Sequence, residues 1–387
     1  MPMRKALTLS LLLMGALIFP SVVRAQTPSV RVALLQDVSD ARLSVPGPCR
    51  LKDARTGAVL SEQPELKWQE VRPGARGVRL GDRELASEAV IVEPLRESEI
   101  RLNAKPYRGE FLLLRTASGR ITIINRVDLE EYLVGALASE VNADWPIEAL
   151  RAHAVVSRTA VAHRIWINRS RPFDVTADTR THLYYGASAE RPSTREAVFS
   201  TRGEVLAYNG EILSAAFHAN CGGHTESASA LWDVPADLPP LRGVADPYCR
   251  GMRHFTWRGL LSGEQIVRAL GELGGGIGTL RSFEVRERDR SGRVTFVRLT
   301  GDRGSVDLPG RRFRELLGAN RLQSLNFHVR NFWGWFFFDG FGWGHGVGLC
   351  QWGAYGMAKK GNKMEEILAF YFPGAEKRKL EGLPGFS

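Results

Sequence analysis

The stretch "NRVDLEEYLVGALASEVNADWPIEALRAHAVVSRTA", residues 125–160, is where the chain changes character. Asp128 stands three residues before Glu131 at the head of an apolar repeat near 3.6 residues, the pattern of a capped helix start. The repeat predicts a first helix over "DLEEYLVGALASE". A second helix opens at "DWPIEALRAHAVV", with Pro146 in its first turn and Glu148 near its positive end, and runs to about Trp166. On a helical wheel Leu129, Leu133, Ala136 and Leu137 form the inward stripe of the first helix, and Glu140 falls on it. The stripe of the second is Ile147, Leu150, Ala154, Val161 and Ile165, with Arg158 in its middle. An inward charge is costly unless it is paired or lines a wet cleft. Two readings of Glu140 and Arg158 follow: a buried ion pair joining the helices, or a cleft carboxylate with a cationic neighbour.

Outward from this pair the periodicity is that of strands. Short alternating runs such as "VRVALL", "AVIVEPL", "EFLLLRT" and "RITIINRV" precede it, separated by Gly, Pro and Asp clusters. After it come "EVLAYNG" and "EILSAAFHAN", a loop from Cys221 to Cys249, a helix at "SGEQIVRALGEL", and strands at "RSFEVRERD" and "VTFVRLT". Near the end, "FDGFGWGHGVGLCQWGAYGMAKKG" reads as a glycine-rich loop entering a short helix, and "KMEEILAFYF" as another helix. The fold class is therefore α+β: mostly antiparallel strands with an inserted helical pair and a glycine-rich C-terminal loop-helix.

The 387 residues are 44% hydrophobic and 24% charged, enough for a sizeable core in one large or two medium domains. Arg4 and Lys5, the apolar run Ala6 to Ile18 and the ending Val23-Arg24-Ala25 have the form of a secretory leader, so a mature chain is expected from near Gln26. No other segment has the length and apolarity of a membrane span. Removing the leader takes three cations and no acid from a formal charge of +10, leaving +7. A basic exported protein suits anionic wall polymers or lipid head groups, and export argues against a nucleic-acid partner. Of the four cysteines, Cys49, Cys221, Cys249 and Cys350, at least one pair is expected to be oxidised outside the cytoplasm. A Cys221–Cys249 disulfide closing its loop is the preferred reading. A zinc site of His218, Cys221, His224 and Cys249 is the competing one.

Five blocks together resemble the stage II sporulation protein D family, which includes the amidase enhancers. They are the helical run Asn125–Ala160, "KPYRGEF" from Lys105, "FHANCGGHTES" from Phe217, "LRGVADPYC" from Leu241 and "GWGHGVGLCQWGAYGMA" from Gly342. The resemblance implies a leader over 1–25, a β-rich region over 26–104 and a catalytic region over 105–387. It implies a bacterial wall protein of the periplasm or cell wall, acting on peptidoglycan glycan strands as a lytic transglycosylase and without a cofactor. It places the family's catalytic glutamate on Glu140. It implies substrate contacts at Arg158, His218, Asn220, His224, His345 and Gln351.

Some positions depart from the family pattern. Thr176 and Leu183 stand where some members carry zinc-binding cysteines, leaving His182 as the obvious ligand there, so no zinc is expected in that segment. His153 and Ala160 replace the usual glutamine and tyrosine. A lytic transglycosylase works with a single acid, because the substrate's own C6 hydroxyl attacks the sugar centre, whereas hydrolytic glycosidases use two carboxylates. The rival is a non-catalytic wall-binding protein whose partner is a wall amidase. A serine hydrolase is weaker still, since Ser139 and Ser157 lack a Gly-x-Ser-x-Gly turn.

Overall fold

The computed structural model describes residues 28–178, 182–232, 234 and 238–386. The leader, residues 1–25, lies outside the described residues. Alternating apolar residues build two sheets in the first third of the chain, because each run buries one face and leaves the other to solvent. A seven-stranded sheet runs in the order 175–176, 29–38, 121–128, 110–115, 89–94, 49–53, 59–63. It is antiparallel except where Val32 and Ala33 pair parallel with Val175 and Thr176. A six-stranded antiparallel sheet runs 105–107, 100–102, 41–45, 66–73, 78–80, 83–85. The 104/105 division falls in the hairpin between Ile100–Leu102 and Lys105–Tyr107, and the larger sheet joins strands from both sides of it.

The last strand of this region, Ile121–Asp128, passes directly into helix α1, Leu129–Glu140. The cap forms as read: Asp128 accepts from the backbone N–H groups of Glu130 and Glu131. Helix α2, Ile147–Ile167, starts after Pro146, and helix α3, Pro192–Ser200, packs on both. Two hydrophobic cores result. The first joins the two sheets to α1, α3 and the α2 face carrying Leu150, Ala154 and Val161. The second spans residues 206–372 and takes in Ala152, Val155 and Val156 from the other face of α2. Helix α2 is thus buried on two sides, and its wheel revealed only one of them.

The second core is held by short antiparallel sheets and small helices. Leu280–Arg288, Val294–Gly301 and Ser305–Pro309 form one sheet, and Thr256–Ser262, Trp335–Phe341 and Phe327–Phe332 another. The glycine-rich run ends in the strand Leu349–Cys350, parallel to Phe217–His218, and leads into the helix Gln351–Lys359. Glycine is required at Gly344 and Gly348, where positive φ coincides with close approach to His218 and to the Ala216 carbonyl. Among the described residues, no helix is long and apolar enough to cross a membrane.

Candidate active site

Helix α1 carries a carboxylate at each end, and their surroundings differ. Near its start Glu130 is fully buried and faces Arg158 of α2, also fully buried. The guanidinium donates from Nε to Oε1 (2.9 Å) and from Nη2 to Oε2 (2.6 Å), and the Gly203 N–H donates to Oε1 (3.0 Å). Arg158 spends its remaining donors on the carbonyls of Val198 (2.9 Å) and Glu204 (3.1 Å). Arg158, expected to touch substrate and weighed as a partner of Glu140, is enclosed in a different ion pair. Every charged atom of that pair is occupied by protein.

Glu140 is the last residue of α1 and half-buried. The Leu183 N–H donates to its Oε1 at 2.7 Å. Among the described residues it has no ion pair. Burial pushes its carboxyl up to about 6, the Leu183 hydrogen bond pulling only partly back. Its place at the negative end of the helix dipole acts in the same direction as burial. A carboxyl held near 6 can give and retake a proton close to neutral pH.

A chain of rings, buried except for the half-buried Phe217, runs on from His182, the neighbour of Leu183. The Tyr132 hydroxyl lies 3.3 Å from His182 Nδ1, and the His182 ring stacks on Phe217 (centroids 5.3 Å apart, 19° between planes). Phe217 in turn contacts His153 at 4.4 Å. His153 Nε2 lies 2.9 Å from Gln351 Nε2, so the imidazole nitrogen accepts from the amide. Ser157 Oγ, 3.0 Å from His153 Nδ1, completes the chain. Burial keeps both histidines neutral, His182 down to about 4 and His153 to about 3. His182 Nε2 is buried with no hydrogen-bond partner among the described residues. Trp145, Trp352 and Tyr355, all half-buried, form a trio with centroids 4.9 to 5.4 Å apart beside the start of α2.

The remaining candidates divide by exposure. Asn220 is 1% exposed, its amide donating to the Arg253 carbonyl (3.1 Å) and its oxygen accepting from the Gly222 N–H (2.9 Å). It ties its loop together and offers a ligand no free polar atom. His218 is buried, with Nδ1 3.1 Å from the Val347 carbonyl and Nε2 unpartnered among the described residues. His224 is half-buried, its Nδ1 2.6 Å from the Thr225 carbonyl. His345 is half-buried and lines a small cavity of about 110 Å³ with Trp232, Arg311 and Arg314. Gln351 faces His153. Sequence reading missed Glu226, which burial raises to about 7. It is 1% exposed and accepts from the Ser227 N–H (2.7 Å) and the Ser291 hydroxyl (2.9 Å), so it is a core group and not a second cleft acid.

The structure brings the cysteines of the expected pair into contact. All four cysteines are buried, and Cys221 Sγ lies 3.4 Å from Cys249 Sγ. Cys350 and Asp246 join them, four ligand atoms within 4.8 Å of one another. The histidines of the competing zinc reading, His218 and His224, are not in this group.

Residues 117–208 match the family described as Stage II sporulation protein, and residues 245–348 match a domain of unknown function, DUF8618. An uncharacterized protein of Brachyspira hyodysenteriae is 32% identical over 301 residues, 78% of this chain and 79% of its own length. Stage II sporulation protein D of Bacillus subtilis is 27% identical over 304 residues, 74% of this chain and 84% of that protein. The amidase enhancer of Bacillus subtilis is 24% identical over 291 residues, covering 62% of this chain and 39% of that protein. The family match falls on the strand, the two helices and the loop that hold Glu130, Glu140 and Arg158, and the chain belongs to the stage II sporulation protein D family.

Proposed function

We propose that the protein is an exported peptidoglycan lytic transglycosylase in which Glu140 is first the general acid and then the general base. One observation carries this reading: a carboxyl at the end of α1, raised to about 6 by burial and without an ion pair among the described residues. Its Oε1 accepts the Leu183 N–H, which leaves the proton to Oε2. Oε2 delivers that proton to the glycosidic oxygen as the bond from C1 breaks. The C6 hydroxyl of the same muramic acid then closes on C1 and returns its proton to the carboxylate, so no water is consumed and no second acid is required. The product is a 1,6-anhydromuramyl end.

The half-buried trio Trp145, Trp352 and Tyr355, at the start of the helix that follows Glu140 in the chain, is a candidate platform for sugar rings. His224 and His345, with partly accessible rings, are the histidines of the expected set that can still reach a ligand. The net charge of +7 after leader removal favours an anionic polymer. The relative named amidase enhancer supports a second reading, a glycan-binding recruiter of a wall amidase. Denuded glycan strands incubated with the mature protein and analysed by mass spectrometry separate the two. Anhydromuramyl ends are expected. Reducing ends alone mean hydrolysis, and uncut strands that still bind the protein leave the recruiter.

A further inference from the structure

Cys221 follows the strand Phe217–His218, Asp246 and Cys249 lie on one loop after residue 241, and Cys350 caps the helix Gln351–Lys359. Three distant segments thus meet at one point in the second core. Every member is buried, the three cysteines completely and Asp246 to 1% exposure. We propose that Cys221, Asp246, Cys249 and Cys350 bind a thiophilic divalent metal ion, of which zinc is the type, in a tetrahedral three-sulfur, one-oxygen site.

The spacing fits such an ion. With Zn–S near 2.3 Å and Zn–O near 2.0–2.2 Å, a tetrahedron has S···S edges of about 3.8 Å and S···O edges of about 3.5 Å. Here Cys221 Sγ lies 3.4 Å from Cys249 Sγ and 3.2 Å from Asp246 Oδ2, and all four ligand atoms fall within 4.8 Å. Small outward shifts open the set around an ion. A Cys221–Cys249 disulfide would instead use two of the four groups, and would leave a thiol and a carboxyl packed against it in the core.

The surroundings are those of a metal site's outer shell. Cys350 Sγ accepts the N–H groups of Cys221 and Gly353, both at 3.3 Å, which fix the direction of its sulfur. Asp246 Oδ1 accepts from the Tyr248 N–H (2.8 Å) and the Cys249 N–H (3.3 Å), and Oδ2 from the Tyr371 hydroxyl (2.9 Å), so the carboxylate is aimed before any ion arrives. Gly353 keeps the space open: a Cβ there would lie 2.3 Å from Asp246 Oδ2 and 1.9 Å from the Tyr371 oxygen. The site would staple the Phe217–His218 and Leu349–Cys350 strands to the 241–249 loop, next to Gln351 and its hydrogen bond to His153.

The test uses the mature full-length protein, purified without chelator and equilibrated with zinc, with elemental analysis after exhaustive dialysis. About one zinc per chain is expected, falling several-fold in Cys350→Ser and in Asp246→Asn, and unchanged in His224→Ala. Replacement by Co²⁺ in the unaltered protein should give the intense near-ultraviolet sulfur-to-cobalt bands of thiolate ligation, a readout that does not depend on how the variants fold. Zinc retained in full by Cys350→Ser would overturn the site. So would a metal-free protein whose non-reducing peptide map shows Cys221 joined to Cys249.

Discussion

Glu130 and Glu140 sit at opposite ends of one helix, about 15 Å apart along its axis, and both face inward. Glu130 has a guanidinium on both oxygens and a backbone N–H besides, so its charge is matched within the protein. Glu140 has one backbone N–H and lies where the helix dipole opposes a negative charge. The same side chain is half of an ion pair at one end and, in the function proposed above, a proton donor at the other. What most clearly separates the two surroundings is the guanidinium that faces Glu130.

The largest expected effect tests that division directly. Glu140→Gln should reduce cleavage of denuded strands by about 10⁴-fold or more, because one group serves both steps and general acid or base catalysis contributes about 10²–10⁴-fold for each. Its thermal unfolding should change little. Retained cleavage by this variant would end the catalytic reading.

At the other end, Arg158→Met should strand the buried Glu130 carboxylate and cost roughly 3–5 kcal/mol in denaturant unfolding. The double variant Glu130→Gln with Arg158→Met should recover much of that loss, since no charge is left unmatched. A small effect of the single variant would show that the pair is not what holds α1 to α2.

The pH dependence follows from the raised carboxyl. Folded Glu140 titrates near 6 and an unfolded Glu near 4.3, so between these values the folded state holds more protons. The contribution of Glu140 to stability should therefore fall by about 2 kcal/mol as pH rises through this window, a component of the pH profile that Glu140→Gln removes. Cleavage should fall above about pH 6 as the acid form is lost. A stability profile unaffected by Glu140→Gln would place its carboxyl in the ordinary range.

The smallest change is Gly135→Ala, midway along α1. A Cβ there would lie 2.8 Å from the Gly186 carbonyl and 3.1 Å from the Tyr184 ring. The clash is offset in part by the roughly 1 kcal/mol by which alanine is the better helix former, so net stability should shift by about 1 kcal/mol. The displaced loop carries Leu183, so cleavage should fall about tenfold while the Glu130–Arg158 pair is unaffected. Equal effects on unfolding and cleavage would argue that α1 responds as one body.

Much of this was legible beforehand where a local rule applied. The Asp128 cap, the start of α2 after Pro146 and the alternating strands each depend on neighbours in sequence, and they stand where the periodicity put them. Glu130 escaped notice because a wheel assumes one buried face, and α1 is packed on several sides, with Tyr132 and Val134 also enclosed. Its position in the first turn read equally well as a favourable dipole charge. Asp246 escaped because an Asp in a Gly- and Pro-rich loop reads as a turn residue; only its spacing of three from Cys249 pointed further.

By itself the sequence determined the α+β class, the two helices, the family and Glu140 as an inward carboxyl. These depend on periodicity, caps and motif blocks, which are properties of adjacent residues. The tertiary structure alone decided that Arg158 belongs to Glu130, that Asn220 ties a loop, and that Cys350 and Asp246 join Cys221 and Cys249. Each of these is a choice of partner across 25 to 129 positions of chain, made by which elements pack together and by the need of every buried charge and polar group to find a counterpart there.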